Sequence, residues 1–529
     1  MEQFAELLDR LIYTRSRNGK LQLVADYLRA TPDPDRGWAL AALTGGLDFP
    51  AVKASTFRNL VTSRVDPVLY ALSRDYVGDG AETASLLWPA GESAGPAPSL
   101  SEVVAEMQTM TRASAPERLA ALLDRLDANG RFALIKFATG ALRIGLSARL
   151  ARTALAQAFG GDVDEIEEVW HALSPPYAEL FDWLARGGPR PDPSATPTFR
   201  PFMLAHPLEG LELDLADYAA EWKWDGIRIQ LVHVAGQSRI FSRGGEDISA
   251  SFPEIVAAFS RPGVLDGELL IRGTHQGGEQ GGAASFNALQ QRLGRKQVSA
   301  RMKAEYPPFV RLYDVLFDDG EDLRPLAWSA RRERLEALVP QLPDQWFDLS
   351  GVIAARDFAH LADLRAAARD AAIEGVMLKR RLSPYSSGRR VGEWYKWKRD
   401  PLTADCVLMY AQRGSGKRSS FYSDYTFGCW TAPPDQGGEL LPVGKAYSGF
   451  SDEELKWLDK FVRGNTLARF GPVREVAKSL VFEVAFDAIS ESKRHKSGLA
   501  MRFPRISRIR RDKPANEADL IDTLRRMAV

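Results

Sequence analysis

The sequence predicts a multidomain chain: an all-α N-terminal domain, an α+β centre built on antiparallel sheets, and a small C-terminal β-barrel. Three observations carry this. At 529 residues the chain exceeds what a single core serves and suits about three domains. Apolar residues recur at one-face helical spacing from Phe4 to about Arg186, whereas short β-type runs dominate after Tyr218. Between them lies a proline-rich stretch, GGPRPDPSATPTFRPFMLAHP, from Gly187 to Pro207. The predicted boundaries are a helical domain over 1–190, a linker over 191–207, a central domain over 208–400 and a barrel over 401–529.

Composition narrows the class. Basic and acidic residues balance at 69 each, so affinity for a polyanion must come from local patches rather than net charge. Cys406 and Cys429 are the only cysteines, which points to a reducing compartment and away from a cysteine zinc site. No apolar run reaches membrane-spanning length, and Met1-Glu2-Gln3-Phe4 begins no signal peptide, so a cytoplasmic location is expected.

In the helical region, Phe4, Leu7, Leu8 and Leu11 share one face, as do Leu119, Leu122, Leu123 and Leu126. The segment from Arg131 to Phe159 carries Lys136, Arg143, Arg149 and Arg152 and no acidic residue. It reads either as a core helical pair with solvated basic faces or as a surface laid along a phosphate backbone. After the linker come strand patterns: IRIQLVHV, SRIFSR, GVLDGELLIR, PFVRLYDVLF and GVMLKR. Helical patterns over Ser329–Leu338 and Phe358–Ala372 separate them, and His275–Ala283 reads as a flexible loop. Beyond Asp400, three strand patterns (ADCVLMYAQRG, YTFGCWTA, SLVFEVAFDAI) and a helix near Glu453–Arg463 suggest a barrel of the OB type, a common nucleic-acid platform.

The chemistry centres on EWKWDGIR, Glu221 to Arg228. Alternation along a strand puts Glu221, Lys223 and Asp225 on one side, so a potential nucleophile lies between two carboxylates. A lysine attacks only as the free amine, which requires its pKa to fall from roughly 10.4. Carboxylates alone hold the proton on, so the motif makes chemical sense only if metal or basic residues bring positive charge from elsewhere. By itself K-x-D-G-x-R is equally a strand end running into a glycine turn.

Five later stretches weigh on that choice. SRGGEDIS places Arg243 and Glu246 around two glycines, which alone is a charged turn. In LDGELL, Glu268 sits in an apolar strand and needs a metal, a ribose hydroxyl or a cation. Tyr313 in RLYDVLF is either core or a platform for a nucleobase. EGVMLKR puts Glu374 at the mouth of another apolar strand. In EWYKWKRD, Lys396 and Lys398 share one face; they are either a solvated strand or the cations that Lys223 requires.

In this order the motifs resemble those of the covalent nucleotidyltransferase superfamily, which holds ATP-dependent DNA ligases, RNA ligases and mRNA capping enzymes. SGLAMRFPRISRIRRDK, Ser497 to Lys513, resembles the terminal motif of DNA ligases. SFNALQQRLGRK, Ser285 to Lys296, resembles a stretch of their catalytic domain, and ATGALRIGLSARLARTALAQAF resembles the helical DNA-binding domain of the larger archaeal and eukaryotic members. The chain is thus identified as similar to a bacterial-type, three-domain ATP-dependent DNA ligase. Departures, the Gly-Gly of SRGGEDIS and the loop at His275–Ala283, touch no chemical residue.

The resemblance implies a helical DNA-binding domain, a nucleotidyltransferase domain with ATP-grasp-like antiparallel sheets, and an OB-fold. It implies that Lys223 attacks the α-phosphate of ATP, with Mg²⁺ or Mn²⁺, to form lysyl-AMP. Lys396 and Lys398 would neutralise the α-phosphate, and Arg508, Arg510 and Lys513 would reach the β- and γ-phosphates. Glu221 would read the adenine amino group, Tyr313 would stack on the ring, and Arg228 and Glu268 would hold the ribose. Asp225, Glu268 and Glu374 are the implied metal contacts, and Arg243 would meet the 5′-phosphate of a nick. Nicked duplex DNA is the implied substrate, in replication, repair or recombination, and the enzyme is expected to be a nucleoid-associated monomer. The terminal motif would face ATP in the first step and then swing away about Arg399–Thr403. Two rivals remain at this level: an RNA ligase or capping-type guanylyltransferase, and a catalytically silent DNA-binding scaffold.

Overall fold

The computed structural model describes residues 1–89, 95–140, 142–210, 212–273, 283–284, 286–295, 297–368, 372–413, 422–492 and 495–528. The expected loop at His275–Ala283, except Ala283 itself, lies outside the described residues, as do Ser285 and Lys296. The chain forms two compact units. One combines Met1–Asp48, Ser99–Ala105 and Gly140–Arg399; the other combines Phe49–Pro98, Glu106–Thr139 and Asp400–Val529.

In the first unit, helices Glu2–Tyr13, Arg17–Ala30, Asp35–Thr44, Ala148–Phe159, Val163–Trp170 and Ala178–Arg186 bury the faces that the periodicity marks, Phe4, Leu7, Leu8 and Leu11 among them. Side-chain caps start several of them: Ser16 accepts from the Gly19 N–H and Ser147 from the Leu150 N–H. The basic stretch divides between the units. In the second, Lys136 is buried and donates to Asp79 at 2.6 Å. In the first, Arg152 is buried 3.0 Å from Glu167, whereas Arg149 pairs with Asp164 nearer the surface and Arg143 is exposed. Lys136 and Arg152 therefore belong to the core, a correction to the view of all four cations as one phosphate-facing surface. Their counter-charges sit on other helices, beyond the reach of a local pattern.

Two sheets form the centre of this unit. The first orders His206–Pro207, Trp394–Lys398, Ile373–Arg380 and Tyr218–Trp224; the second orders Gln237–Ser242, Ile227–Val234, Gly263–Ile271, Pro308–Asp318 and Glu321–Asp322. Apart from two parallel pairings at short strands, both are antiparallel. Ala219 and Trp394 of the first sheet share an apolar cluster with Val232, Phe241, Val264 and Leu316 of the second, so the sheets meet face to face. Phe199, Phe202 and Met203 complete that cluster: the proline-rich stretch ends packed into the sheets. Each such fully buried side chain contributes roughly 1.5–3 kcal/mol. The other face of the second sheet is covered by Phe252, Ile255, Leu335 and Leu338. The helix at Phe358 stops at Ala367, short of the expected Ala372.

Three side chains from the end of the helical region bind these sheets. Asp164 accepts from Ser387, Glu168 pairs with Arg324 at 2.6 Å, and His171 Nε2 lies 2.8 Å from the Gly245 carbonyl. Burial pulls His171 down to about 4. The ring is therefore neutral at pH 7, with Nε2–H donating to Gly245 and Nδ1 accepting from the Phe199 N–H.

In the second unit, helices Ala54–Thr62, Pro67–Val77, Gly80–Leu87, Ala115–Asp124 and Ala128–Thr139 precede a seven-stranded sheet. Its longest strand, Leu402–Arg413, pairs along one edge with Tyr422–Trp430. Along the other it pairs with Val473–Val476 at one end and Val481–Phe486 at the other. Helix Asp452–Gly464 starts with a capping box of Ser451 and Glu454. Cys406 and Cys429 are both buried here as free thiols.

Candidate active site

Lys223 is the penultimate residue of its strand, and the register sets Lys223, Gly375 and Lys398 side by side on three neighbouring strands. Gly375 adopts φ +151°, and a Cβ there would meet the Trp397 carbonyl oxygen at 2.2 Å. Only glycine fits, and the bulge it allows beside Ile373 redirects Glu374. Lys223 Nζ donates to Glu374, and Lys398 Nζ stands 3.8 Å from the same carboxylate oxygen.

After Trp224 the chain crosses from the first sheet to the second through Asp225-Gly226. The Asp225 N–H donates to the Ala372 carbonyl at 2.6 Å. A Cβ on Gly226 would lie 2.5 Å from the Leu269 oxygen and 2.8 Å from the Glu268 side chain, so this turn can lie against Glu268 only as glycine. Burial pushes Glu268 up to about 8; Lys223 and Arg228 oppose the rise, while Glu374 and Asp225 add to it. Three carboxylates thus feel one another beside one lysine. Among the described residues no three His, Cys, Asp or Glu side chains form a ready-made metal cage. Mg²⁺ commonly takes only one or two protein carboxylates and completes its shell with phosphate oxygens and water, so the donor set fits that kind of site.

Positive charge gathers on the Lys398 strand. Burial lowers Lys396 first, and then Arg389, Lys398, Arg243 and Lys223 lower it further, so five cations lie within electrostatic reach. Arg243 is exposed in the turn just after strand Gln237–Ser242.

On the same pair of strands, Glu221 and Lys379 are each 2 % exposed, with Lys379 Nζ 3.2 Å from both carboxylate oxygens. Burial pushes Glu221 up and Lys379 down, and each is opposed by its partner's charge. Arg332 lies 3.8 Å from Glu221. Lys379 Nζ is also 4.7 Å from the centre of the Tyr313 ring, so Glu221 and Tyr313 share one buried ammonium. Asp314, the next residue of the Tyr313 strand, takes both arms of the buried Arg331 at 2.8 and 3.0 Å.

Arg228 is clamped by the Met203 carbonyl at 2.6 Å, Asp266 at 3.0 Å and the Tyr385 hydroxyl at 3.2 Å, with its plane 4.1 Å from the Phe202 ring. In the second unit, Arg508 pairs with Glu483 at 2.9 Å, Arg510 with Asp512 at 2.9 Å, and Lys513 with Asp405 at 2.7 Å.

Lys379, Arg331, Arg332, Arg389, Tyr385 and the role of Asp266 are among the parts of this arrangement that escaped the sequence. One signal existed. A lone lysine in the apolar strand GVMLKR needs a buried partner by the same argument that singled out Glu268. Arg389 and Tyr385 lie in a turn-rich stretch that offers no comparable pattern.

Residues 202–398 match a family model described as ATP dependent DNA ligase domain, and residues 418–513 match its C terminal region. The "Probable DNA ligase" of Koribacter versatilis is 34 % identical over 99 % of this chain and 95 % of its own length. "DNA ligase 1" of Korarchaeum cryptofilum is 31 % identical over 99 % and 97 %. A solved structure named Pmar-Lig_Pre aligns over 96 % of this chain and 99 % of its own with a TM-score of 0.59 at 16 % identity, a likeness of fold.

Proposed function

The chain belongs to the ATP-dependent DNA ligases, and on that premise we propose that Lys223 is its nucleophile, with the surrounding residues dividing the work as follows. A ligase of this family joins a 5′-phosphate to a 3′-hydroxyl at a nick through lysyl-AMP and then an adenylated DNA end. The observation that carries the assignment is the position of Lys223: near a strand end, on Glu374, within electrostatic reach of both Glu268 and Lys396, with Lys398 3.8 Å from the same Glu374 oxygen.

In the first step the Lys223 amine forms a bond to the α-phosphorus as pyrophosphate departs with the bonding electrons. Lys396 and Lys398 neutralise the charge that develops on the phosphoryl oxygens. Glu221, held by Lys379, accepts from the adenine amino group; Tyr313 stacks on the base; Arg228 and Glu268 hold the ribose. Asp225, Glu268 and Glu374 would hold Mg²⁺, or Mn²⁺ in its place, which supplies charge neutralisation at the phosphates. Arg508, Arg510 and Lys513 serve the leaving pyrophosphate. Arg243 meets the 5′-phosphate in the second step, and attack by the 3′-hydroxyl then releases AMP.

The helices of 1–190 serve as the DNA-binding domain, 208–400 as the nucleotidyltransferase and 401–529 as an OB-fold, with the hinge near Arg399–Thr403. Phosphate contacts predict steep salt dependence and little sequence preference. A monomer is expected; among the described residues no helix is long and apolar enough to cross a membrane.

The test is labelling with α-labelled ATP and Mg²⁺, wild type beside Lys223→Ala, with pyrophosphate pretreatment to strip any AMP already bound. A denaturation-stable adduct in wild type and none in the variant is the expected result. An adduct that persists in Lys223→Ala moves the nucleophile elsewhere.

A further inference from the structure

In the second unit, Leu402–Arg413, Val481–Phe486 and Arg505–Arg510 lie side by side. Asp405 is the register partner of Glu483, and Glu483 is the partner of Arg508. Two carboxylates directly opposite each other on neighbouring strands repel unless cations sit with them. Here the cations are the three of the terminal motif. Asp405 Oδ2 accepts from Lys513 Nζ at 2.7 Å and from Arg510 Nη1 at 3.3 Å. Glu483 Oε2 accepts from Arg508 at 2.9 Å and lies 3.9 Å from Arg510.

Asp405 is the fixed member of this group. Its N–H donates to the Asp519 carboxylate at 2.8 Å, and its carbonyl accepts from the Asp519 N–H at 2.9 Å. Its side chain is 13 % exposed, against 21 % for Lys513 and 64 % for Arg508. Lysine is a charge on a flexible four-carbon stem, and a rigid acceptor at its tip gives it one direction. Sequence motifs mark the cations but not this acceptor, which lies 108 residues upstream of Lys513.

We propose that Asp405 is a positioning residue for the first chemical step: it holds Lys513 and Arg510 in the orientation in which they receive the pyrophosphate leaving group. The inference rests on the reading that the terminal motif serves ATP. Asp405 touches no reacting atom. The N–P bond forms at Lys223, the P–O bond to pyrophosphate breaks, and the charge on the departing oxygens falls to side chains that Asp405 has aimed. Asp405→Asn leaves all three positive charges in place, so ATP is still attracted. What it removes is their fixed direction.

The experiment compares full-length wild type, Asp405→Asn, Asp405→Glu and Lys513→Ala in two reactions: single-turnover lysine adenylation, and sealing of a nick that already carries the 5′-adenylate and so bypasses ATP. For Asp405→Asn, the maximal adenylation rate is expected to fall about ten- to a hundredfold, with KM for ATP within about threefold of wild type. Sealing of the pre-adenylated nick stays at the wild-type rate, and Asp405→Glu recovers part of the loss. If Lys513→Ala loses adenylation and Asp405→Asn does not, the positioning role is overturned and the terminal-motif reading stands. If Lys513→Ala adenylates normally, that reading falls and takes the inference with it. If Asp405→Asn loses both reactions together, Asp405 is a strut of the sheet and the proposal is again overturned.

Discussion

Two lysine–glutamate pairs join the same two strands of the first unit, and they differ in almost everything but chemistry. Lys223 and Glu374 are 23 % and 21 % exposed; Glu221 and Lys379 are 2 % and 2 % exposed. The buried pair is satisfied on every side, with two equal contacts, a neighbouring arginine and the Tyr313 ring. The open pair stands at the strand ends, where one carboxylate serves two lysines. A buried ion pair fixes geometry because breaking it strands a charge in a medium that cannot solvate it. An open pair exchanges partners at little cost, which is what a nucleophile needs. Order along these strands runs from positioning to reaction.

The sharpest break of this comparison is Lys223→Ala. Adduct formation is expected to vanish while thermal stability stays within about 1 kcal/mol of wild type, since an open pair is worth little. Scanning calorimetry beside the labelling assay checks both halves, and a variant that unfolds would make the open pair structural after all.

Lys379→Met runs the opposite way. It leaves the Glu221 carboxylate buried without its cation, and a cost of roughly 3–5 kcal/mol is expected from denaturant unfolding. A double variant, Glu221→Leu with Lys379→Met, should recover much of that stability yet not the preference for ATP over GTP. Recovery of both would remove Glu221 from base recognition.

Neither pairing was legible in the sequence, because the partners lie 151 and 158 residues apart; what the sequence marked was single residues with a local signature. Glu268 and Glu374 each adjoin a glycine and Lys223 stands three residues before one, Lys396 and Lys398 alternate with aromatics, and Gly226 and Gly375 turn out to be sterically required. The strands themselves were readable within a residue or two at Ile227–Val234, Gly263–Ile271 and Pro308–Asp318. Partners were not. Glu221 and Lys379 are 158 residues apart, and Lys136 is 57 from Asp79. Periodicity says which side a residue is on, not which charge will face it there. For the same reason the prolines of Gly187–Pro207 read as a linker, while Phe199, Phe202 and Met203 within it were already committed to a core.

Glu268 sharpens the comparison through pH. Its folded value of about 8 lies above the ordinary carboxylate value of roughly 4.3. Between those values the unfolded chain has lost a proton that the folded chain keeps, so this group takes stability away as pH rises from about 4 to 8 and no more beyond. Glu268→Gln carries no such penalty. Its melting temperature without metal should match wild type near pH 4.5 and exceed it increasingly up to pH 8. A divalent cation bound at this carboxylate should narrow the gap, because it favours the ionised form. A constant difference across that range would show that burial does not set the protonation of Glu268.

The smallest effect is expected where the row of charges meets solvent. Lys398 is 49 % exposed and 3.8 Å from Glu374, a distance and exposure at which screening and side-chain entropy cancel most of the attraction. Lys398→Ala should change unfolding free energy by no more than about 0.5 kcal/mol, and a double-mutant cycle with Glu374→Gln should give a coupling near zero. The same variant should slow lysine adenylation, because the charge it removes acts on phosphate oxygens rather than on the fold. Coupling of about 2 kcal/mol instead would mean that Glu374 is committed to Lys398. The carboxylate would then be less free to release Lys223, and the contrast between a fixed pair and an exchangeable one would lose its basis.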